Sequence, residues 1–459
     1  MKMKILAASV AVLLVLMGIG AARALGQVDD RAPVQTGATL PLAEAVDRAL
    51  AQYPAIAIAK AARDESRASI GEANAGYFPS LRVSGSGTIY EEPTAVFPIH
   101  GFRPDLIPPF DDTIYQGAAG ISLTLFDGGV REARVRQARS RFSASDHALT
   151  GTQQTLVARV LSTYLNVLSC AQTLESQDRR IDALEAERAR VGKLMDVGRA
   201  ARLESLRIDA NLETARAERV RLAAALDTSE RELARLTDLR QEETQASRLI
   251  AVEVADTGLA SRAELLDLAL RASPVLAQAR SQHASAVAAK GMARGLRWPD
   301  VKLVGTYVGW SDSRGNDTAE WSTAAQLSFP IFTGGAIANG IRRADAAARG
   351  AAEQVLLVEI QVAGELDRAR SAVLEERARV VSLTKAVESM TEVVRIEKLA
   401  IENGSGTQTD YLNSEADLFA ARAGLIEARH REIAARAELA RVTGSLDPAW
   451  LTQTLEEVR

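Results

Sequence analysis

Very little in this chain could staple a compact fold together. It has one cysteine, Cys170, in 459 residues, so no intrachain disulfide is possible. Cys170 sits in a helical pattern and reads as a small buried apolar side chain. Aromatic residues make up only 4%, which excludes a thick aromatic core and leaves an apolar content dominated by Ala, Leu and Val. The net charge of -4 and the lack of a basic tail give no electrostatic case for a nucleic-acid partner. After the N-terminus no run of 18 apolar residues occurs, so any entry into a membrane is not by helices. Signatures of catalysis are missing too. His100, His147, His283 and His430 are scattered without ligand spacing, there is no GxSxG elbow, and the GSG at 404–406 lacks the lysine of a phosphate loop. No catalytic residue, metal or cofactor is predicted, and the chain does not read as an enzyme.

Proline is scarce in a patterned way. None of the 13 lies between Phe110 and Ser273 or between Ile331 and Asp447. Proline breaks helix interiors, so both tracts can be helical almost throughout. Ile181, Leu184, Arg188, Val191 and Met195 step by three and four, as do Val387, Met390, Val394, Glu397 and Ile401. Both series read as coiled-coil seams. The stretch from Asp127 to Gly198, about 70 residues, would reach roughly 105 Å as helix. The segments 40–78 and 198–238 are each about half as long and could lie end to end beside it.

The first residues are distinctive. MKMK at 1–4 is a positive head, ILAASVAVLLVLMG at 5–18 is a short apolar run, and Ala22-Arg23-Ala24 supplies a small-x-small cleavage pattern. Residues 1–24 are predicted to be a cleaved secretory signal, with the mature chain starting near Leu25 outside the cytoplasm.

The chain is also a tandem duplication. AEAVDRALAQYP at 43–54 matches AELLDLALRASP at 263–274, 220 residues later. ISLTLFDGG at 121–129 matches LSFPIFTGG at 327–335, and ELARLT at 232–237 matches ELARVT at 438–443, both 206 residues later. The first copy therefore carries 14 extra residues between strand and turn. The predicted units are residues 25–254 and 255–459, each with helix, strand pair and long helical hairpin.

The strands, about 81–90, 115–126, 301–310 and 321–332, alternate apolar and small polar residues over lengths that suit tilted barrel strands in a bilayer. Of the 20 aromatics, 14 fall in 77–126 and 298–332. Tyr90, Tyr115, Trp310 and Trp321 are placed at the far strand ends as membrane-interface residues. The proline-rich stretch 91–112 joins the first strand pair as an outer loop that tolerates insertion. Four strands leave two open edges that lipid does not tolerate; three chains would close a twelve-stranded barrel.

The duplicated plan, the LFDGG and PIFTGG turns and the Gly-containing hairpin tips together resemble the TolC-like outer-membrane efflux proteins over essentially the whole mature chain. The resemblance implies an α+β membrane protein: a homotrimer with a twelve-stranded barrel in outer-membrane lipid and a periplasmic α-helical tunnel. It implies the exit duct of a tripartite efflux or type I secretion system, docking with a periplasmic adaptor and an inner-membrane transporter. Gly128, Gly129, Gly334 and Gly335 would then be the strand-to-helix turns. The tips, Val197, Gly198 and Arg199 with Gly404, Ser405 and Gly406, would dock the adaptor. Asp410 would project into the lumen at the entrance. Asn413 stands where relatives commonly carry a second aspartate, and Glu204 is the first-half counterpart of Asp410. The basic partner that relatives use to hold the entrance shut corresponds to Gly406 and their tyrosine to Ile401; Arg199 or Arg202 could substitute. The rival reading is a periplasmic coiled-coil scaffold or adaptor without a pore.

Overall fold

The computed structural model describes residues 39–98, 108–198, 200–240, 248–254, 258–403 and 405–458. The 1–24 segment and the tip residues Arg199 and Gly404 lie outside them.

Each half opens with a short helix, α1 (Leu42–Gln52) or α5 (Arg262–Ala272), followed by α2 (Pro54–Ala75) or α6 (Pro274–Gly295). The stretch 40–78 is thus two helices and not the single half-length rod expected. The residue before each proline, Tyr53 or Ser273, is extended (ψ 126° and 120°), as the ring Cδ demands. The strand pairs are β2 (Ser80–Ala95) with β3 (Phe110–Phe126) and β6 (Asp300–Asp312) with β7 (Asp317–Ser328). The hairpins are α3 (Val130–Asp196) with α4 (Arg202–Thr237) and α7 (Ala336–Glu402) with α8 (Gln408–Thr443). Corresponding helices have equal lengths in the two halves: 11, 22, 67 and 36 residues. A 67-residue helix is about 100 Å long.

The strands form one antiparallel sheet in the order β2-β3-β6-β7. They differ from the expected bounds. β2 runs on past Tyr90 to Ala95 through an irregularity between Ile89 and Thr94, and β3 starts at Phe110, so both ends of 91–112, residues 91–95 and 110–112, are strand. β7 stops at Ser328 and not at 332. Pro330 has no N–H to offer a ladder, and no neighbour holds this edge.

Among the described residues four further strands are too short to show a period: β1 (Thr39–Leu40), β4 (Arg248–Leu249), β5 (Ala251–Val254) and β8 (Leu455–Val458), the last following α9 (Pro448–Thr454). They pair β1 with β4 and β5 with β8, where the sequence showed no strand. Tyr164, fully buried on α3, ties them to the helices. Its hydroxyl accepts from Ile250 N–H (2.8 Å) and donates to Leu40 C=O (2.9 Å). The largest apolar cluster surrounds it, with Val160, Leu161, Leu165, Leu233 and Leu446.

Candidate functional site

Sheet register sorts the side chains into two faces. Leu81, Val83 and Ile89 lie on one face with Tyr115, Ile121, Leu123, Leu303, Tyr307, Trp321 and Leu327, because Leu81 pairs with Ile121, Leu123 with Leu303 and Tyr307 with Trp321. The other face holds Arg82, Ser84, Ser86, Gln116, Lys302, Thr306 and Gln326. One face suits lipid and the other suits water. Tyr115 and Trp321 fall on the apolar face. Trp310, paired with Gln116, falls on the polar face, and so does Tyr90. These two line a cleft of about 440 Å³ beneath residues 96–98, where Val96 is buried. They are therefore not on the face expected of interface residues. No helix among the described residues is long and apolar enough to cross a membrane.

A second aromatic band, which the strand pattern does not announce, lies at the other end of the sheet. Phe78, Phe126, Trp298, Phe329 and Phe332 are all exposed, Phe332 at 88%. They flank the strand-to-helix turns, which are left-handed at Gly128, Gly129, Gly334 and Gly335 (φ 66°, 83°, 59° and 84°). At Gly128 a Cβ would lie 2.4 Å from the Gly295 carbonyl oxygen and 2.7 Å from Trp298 Cβ. Only glycine fits there.

The first turn has a clamp that the second lacks. Arg131 Nε donates to Asp127 (3.0 Å), and its other nitrogens donate to the carbonyls of Thr124 (2.7 Å), Leu125 (3.2 Å) and Gly76 (3.3 Å). Asp127 in turn accepts from the N–H groups of Gly129 and Arg131. Thr333 and Ile337 occupy the equivalent positions in the second half. The i, i+4 spacing of Asp127 and Arg131 was a legible signal for this ion pair.

At the hairpin tips Gly198 is left-handed (φ 72°) and Val197 is exposed. On the second tip Ser405 and Gly406 both donate backbone N–H to the Ala400 carbonyl. A Cβ on Gly406 would meet Ala400 Cβ at 2.9 Å. Asp410 is exposed in the first turn of α8, where its carboxylate accepts from the Thr407 hydroxyl (2.6 Å) and its N–H donates back to it (3.1 Å). It thus completes a helix cap. Asn413 is exposed one turn on, and Glu204 is half-buried in the first turn of α4.

The hairpins are joined near the tips by arginines other than the two considered from sequence. Arg190 on α3 grips Glu187 (2.8 and 2.6 Å) and donates across to Gln408 on α8 (3.1 Å). The Glu187 hydrogen bonds, with Glu204 and Glu402 nearby, raise its proton affinity further. Arg207 on α4 donates to the Thr409 hydroxyl. Beneath them Leu184, Val191, Ile208, Tyr411 and Leu412 form a buried cluster. Burial and the neighbouring Glu415, which accepts from the Tyr411 hydroxyl at 3.1 Å, push the phenol well above its ordinary range. Of the first expected seam, Ile181, Leu184 and Val191 are buried, while Arg188 reaches Asp209. The second seam is only half covered.

The family model for outer membrane efflux proteins matches residues 45–238 and 265–445. Solved structures share the fold. The outer membrane protein VceC of Vibrio cholerae matches with TM-score 0.73 at 18% identity, over 88% of this chain and 97% of that one. The Campylobacter jejuni CmeC outer membrane channel matches with TM-score 0.74 at 15% identity, over 94% and 96%. Protein CyaE of Bordetella pertussis is 27% identical over 161 residues, 33% of this chain and only 31% of that relative's length. The duplicated hairpins, the two-faced sheet and the family match converge: the chain belongs to the outer membrane efflux protein family.

Proposed function

We propose that the chain is the passive exit duct of a tripartite efflux or type I secretion assembly. Three copies close twelve strands into a barrel, and the hairpins continue it as a tunnel through the periplasm. The observation that carries this reading is the sheet itself: one apolar face, one polar face and two unpaired edges, β2 and β7. Lipid tolerates such a sheet only when it closes.

Energy comes from an inner-membrane transporter and not from this chain. The tips, Val197 and Gly198 beside Ser405 and Gly406, together with Arg199 and Gly404, dock a periplasmic adaptor through close backbone approach. Tyr115 and Trp321 anchor the apolar face at the lipid interface. Asp410, one per chain, forms an acidic ring at the entrance, with Asn413 as its uncharged neighbour and Glu204 close to the Arg190 link. Such a ring favours cations.

Single-channel conductance of the purified protein in planar bilayers tests this. Cation-preferring steps whose selectivity falls in Asp410→Ala support both pore and ring. Steps unchanged by the substitution keep the pore and remove Asp410 from the lumen. A water-soluble, non-conducting protein would return the scaffold reading.

A further inference from the structure

Just beyond the strand-to-helix turns, α3, α6 and α7 together border a cleft of about 940 Å³. Its floor is small and apolar, with Ala284, Val287, Ala288, Ala348 and Ala352. Gly291 adds no side chain to it; a Cβ there would stand 3.5 Å from Ala133 Cβ and 3.8 Å from an Arg136 nitrogen.

The walls are cationic. Arg136 and Arg139 come from α3, Lys290 and Arg294 from α6 and Arg349 from α7, and no carboxylate lines the cleft. Two stand at its edge. Glu132 holds Arg136, while Asp345 holds Lys290 and, at 3.6 Å, Arg349. An excess of three positive charges is left. Arg139 and Arg294 make no hydrogen bond or ion pair among the described residues. Asp345 registers the crowding: the Lys290 ammonium first, then Arg349 and Arg294, hold its carboxyl below the usual carboxylate range.

Like charges gathered this closely repel, and the scaffold does not require them. The other copy of the repeat builds the same helices with Asp345 in place of Arg139, Ile70 for Lys290, Asn74 for Arg294 and Ser143 for Arg349. Even the space is not repeated, since Phe142 stands at the equivalent of Ala348. Charge and cavity were thus acquired together in one place.

That place adjoins the end of the sheet. Arg294 is the last residue but one of α6, and Leu296 and Trp298 beyond it are exposed at 54% and 63%. Lys290 lies about 8 Å back along α6 and Arg139 about 14 Å along α3. The headgroup layer of a bilayer is about 5–8 Å deep on each side, so the cleft opens within it and runs on into water.

We infer that this cleft binds a phosphate-bearing anion, supplied either as the headgroup of an anionic phospholipid in the adjoining leaflet or as a free solute. Guanidinium forks match phosphate oxygens, and the Ser140 hydroxyl lines the same space. Basic pockets between helices at a membrane surface hold anionic headgroups in this way. The apolar floor favours the lipid, whose glycerol and first methylenes it can cover. The lipid source rests on the duct reading, which puts the sheet in the bilayer; the cleft itself does not.

Native mass spectrometry of the full-length protein, delipidated in detergent, tests this with phosphatidylglycerol against zwitterionic phosphatidylethanolamine, and separately with inorganic pyrophosphate. Arg139→Gln with Arg294→Asn removes the two unpaired cations and breaks no ion pair. Arg134→Gln with Arg343→Gln removes the same charge from exposed positions on α3 and α7 outside the cleft. Preferential phosphatidylglycerol binding that falls about tenfold or more in the first variant and persists in the second supports the site, with lipid as its source. Pyrophosphate binding alone, with the same dependence, supports it with a free anion as the source. Binding of neither probe, binding that neither variant changes, or equal loss in both variants would overturn the site. Conductance in planar bilayers is read alongside. A non-conducting protein that still binds pyrophosphate through Arg139 and Arg294 overturns the duct and keeps the cleft.

Discussion

The Arg131 guanidinium sits 4.9 Å from the centre of the Tyr77 ring while its nitrogens hold Asp127 and three backbone carbonyls. One side chain thus joins the end of α2, the end of β3 and the start of α3. The ion pair is largely shielded, with both side chains less than a fifth exposed, so removing one partner strands a charge and several acceptors. Arg131→Leu is expected to destabilise the fold by about 3 kcal/mol, read as a lowered midpoint of thermal unfolding in detergent. Arg131→Lys should recover only part of this, because an ammonium cannot span the same acceptors.

Neighbouring glycines should respond unequally. Gly129→Ala costs backbone strain alone, roughly 1–2 kcal/mol, because the space beyond it is open. Gly128→Ala adds a collision with the Gly295 carbonyl and Trp298. Its yield of folded protein should fall well below that of Gly129→Ala when both are expressed in parallel.

Tyr164→Phe removes the hydroxyl that links the Leu40 carbonyl and the Ile250 N–H. The buried backbone groups lose their partner, which costs about 1–3 kcal/mol. Hydrogen exchange should accelerate at β4 and β5 before the hairpin tips are affected.

His430 lines a cleft of about 690 Å³ among Arg179, Arg422, Arg429, Glu432 and Arg436. Burial, then Arg429, holds its imidazole down at about 4. The unfolded chain therefore binds a proton below about pH 6.5 that the folded chain refuses until about pH 4. Stability should fall as pH drops through that window and be unaffected by His430 above it. His430→Gln should flatten this part of the pH dependence of unfolding; an unchanged slope would place its origin elsewhere.

Much of the architecture was legible because its signals are long. Proline-free tracts foretold the 67- and 36-residue helices, and the repeated Gly-Gly fixed where they begin. Local parity was harder. On β6 Val301, Leu303, Val304, Tyr307, Val308 and Trp310 are apolar or aromatic in both alternations, so only register shows that Trp310 leaves the apolar face. Tyr90 lies within the irregularity between Ile89 and Thr94, where the alternation of faces is interrupted. The short strands around Tyr164 carry two to four residues each, too few for any period. At the tips Arg190 and Arg207 lie on opposite sides of the turn, and nothing in their spacing announced that both reach the second hairpin.

The equal lengths of the paired hairpins carry a mechanical consequence. Two rods of 67 residues that start from equivalent turns end at the same distance from the membrane, although most of their side chains differ. In the proposed trimer the far rim is then level, so that a ring-shaped partner would meet every tip at once. Inserting seven residues into each arm of one hairpin alone would lift that tip by about 10 Å, leaving a rim of alternating heights on which such a partner could seat at only half its positions.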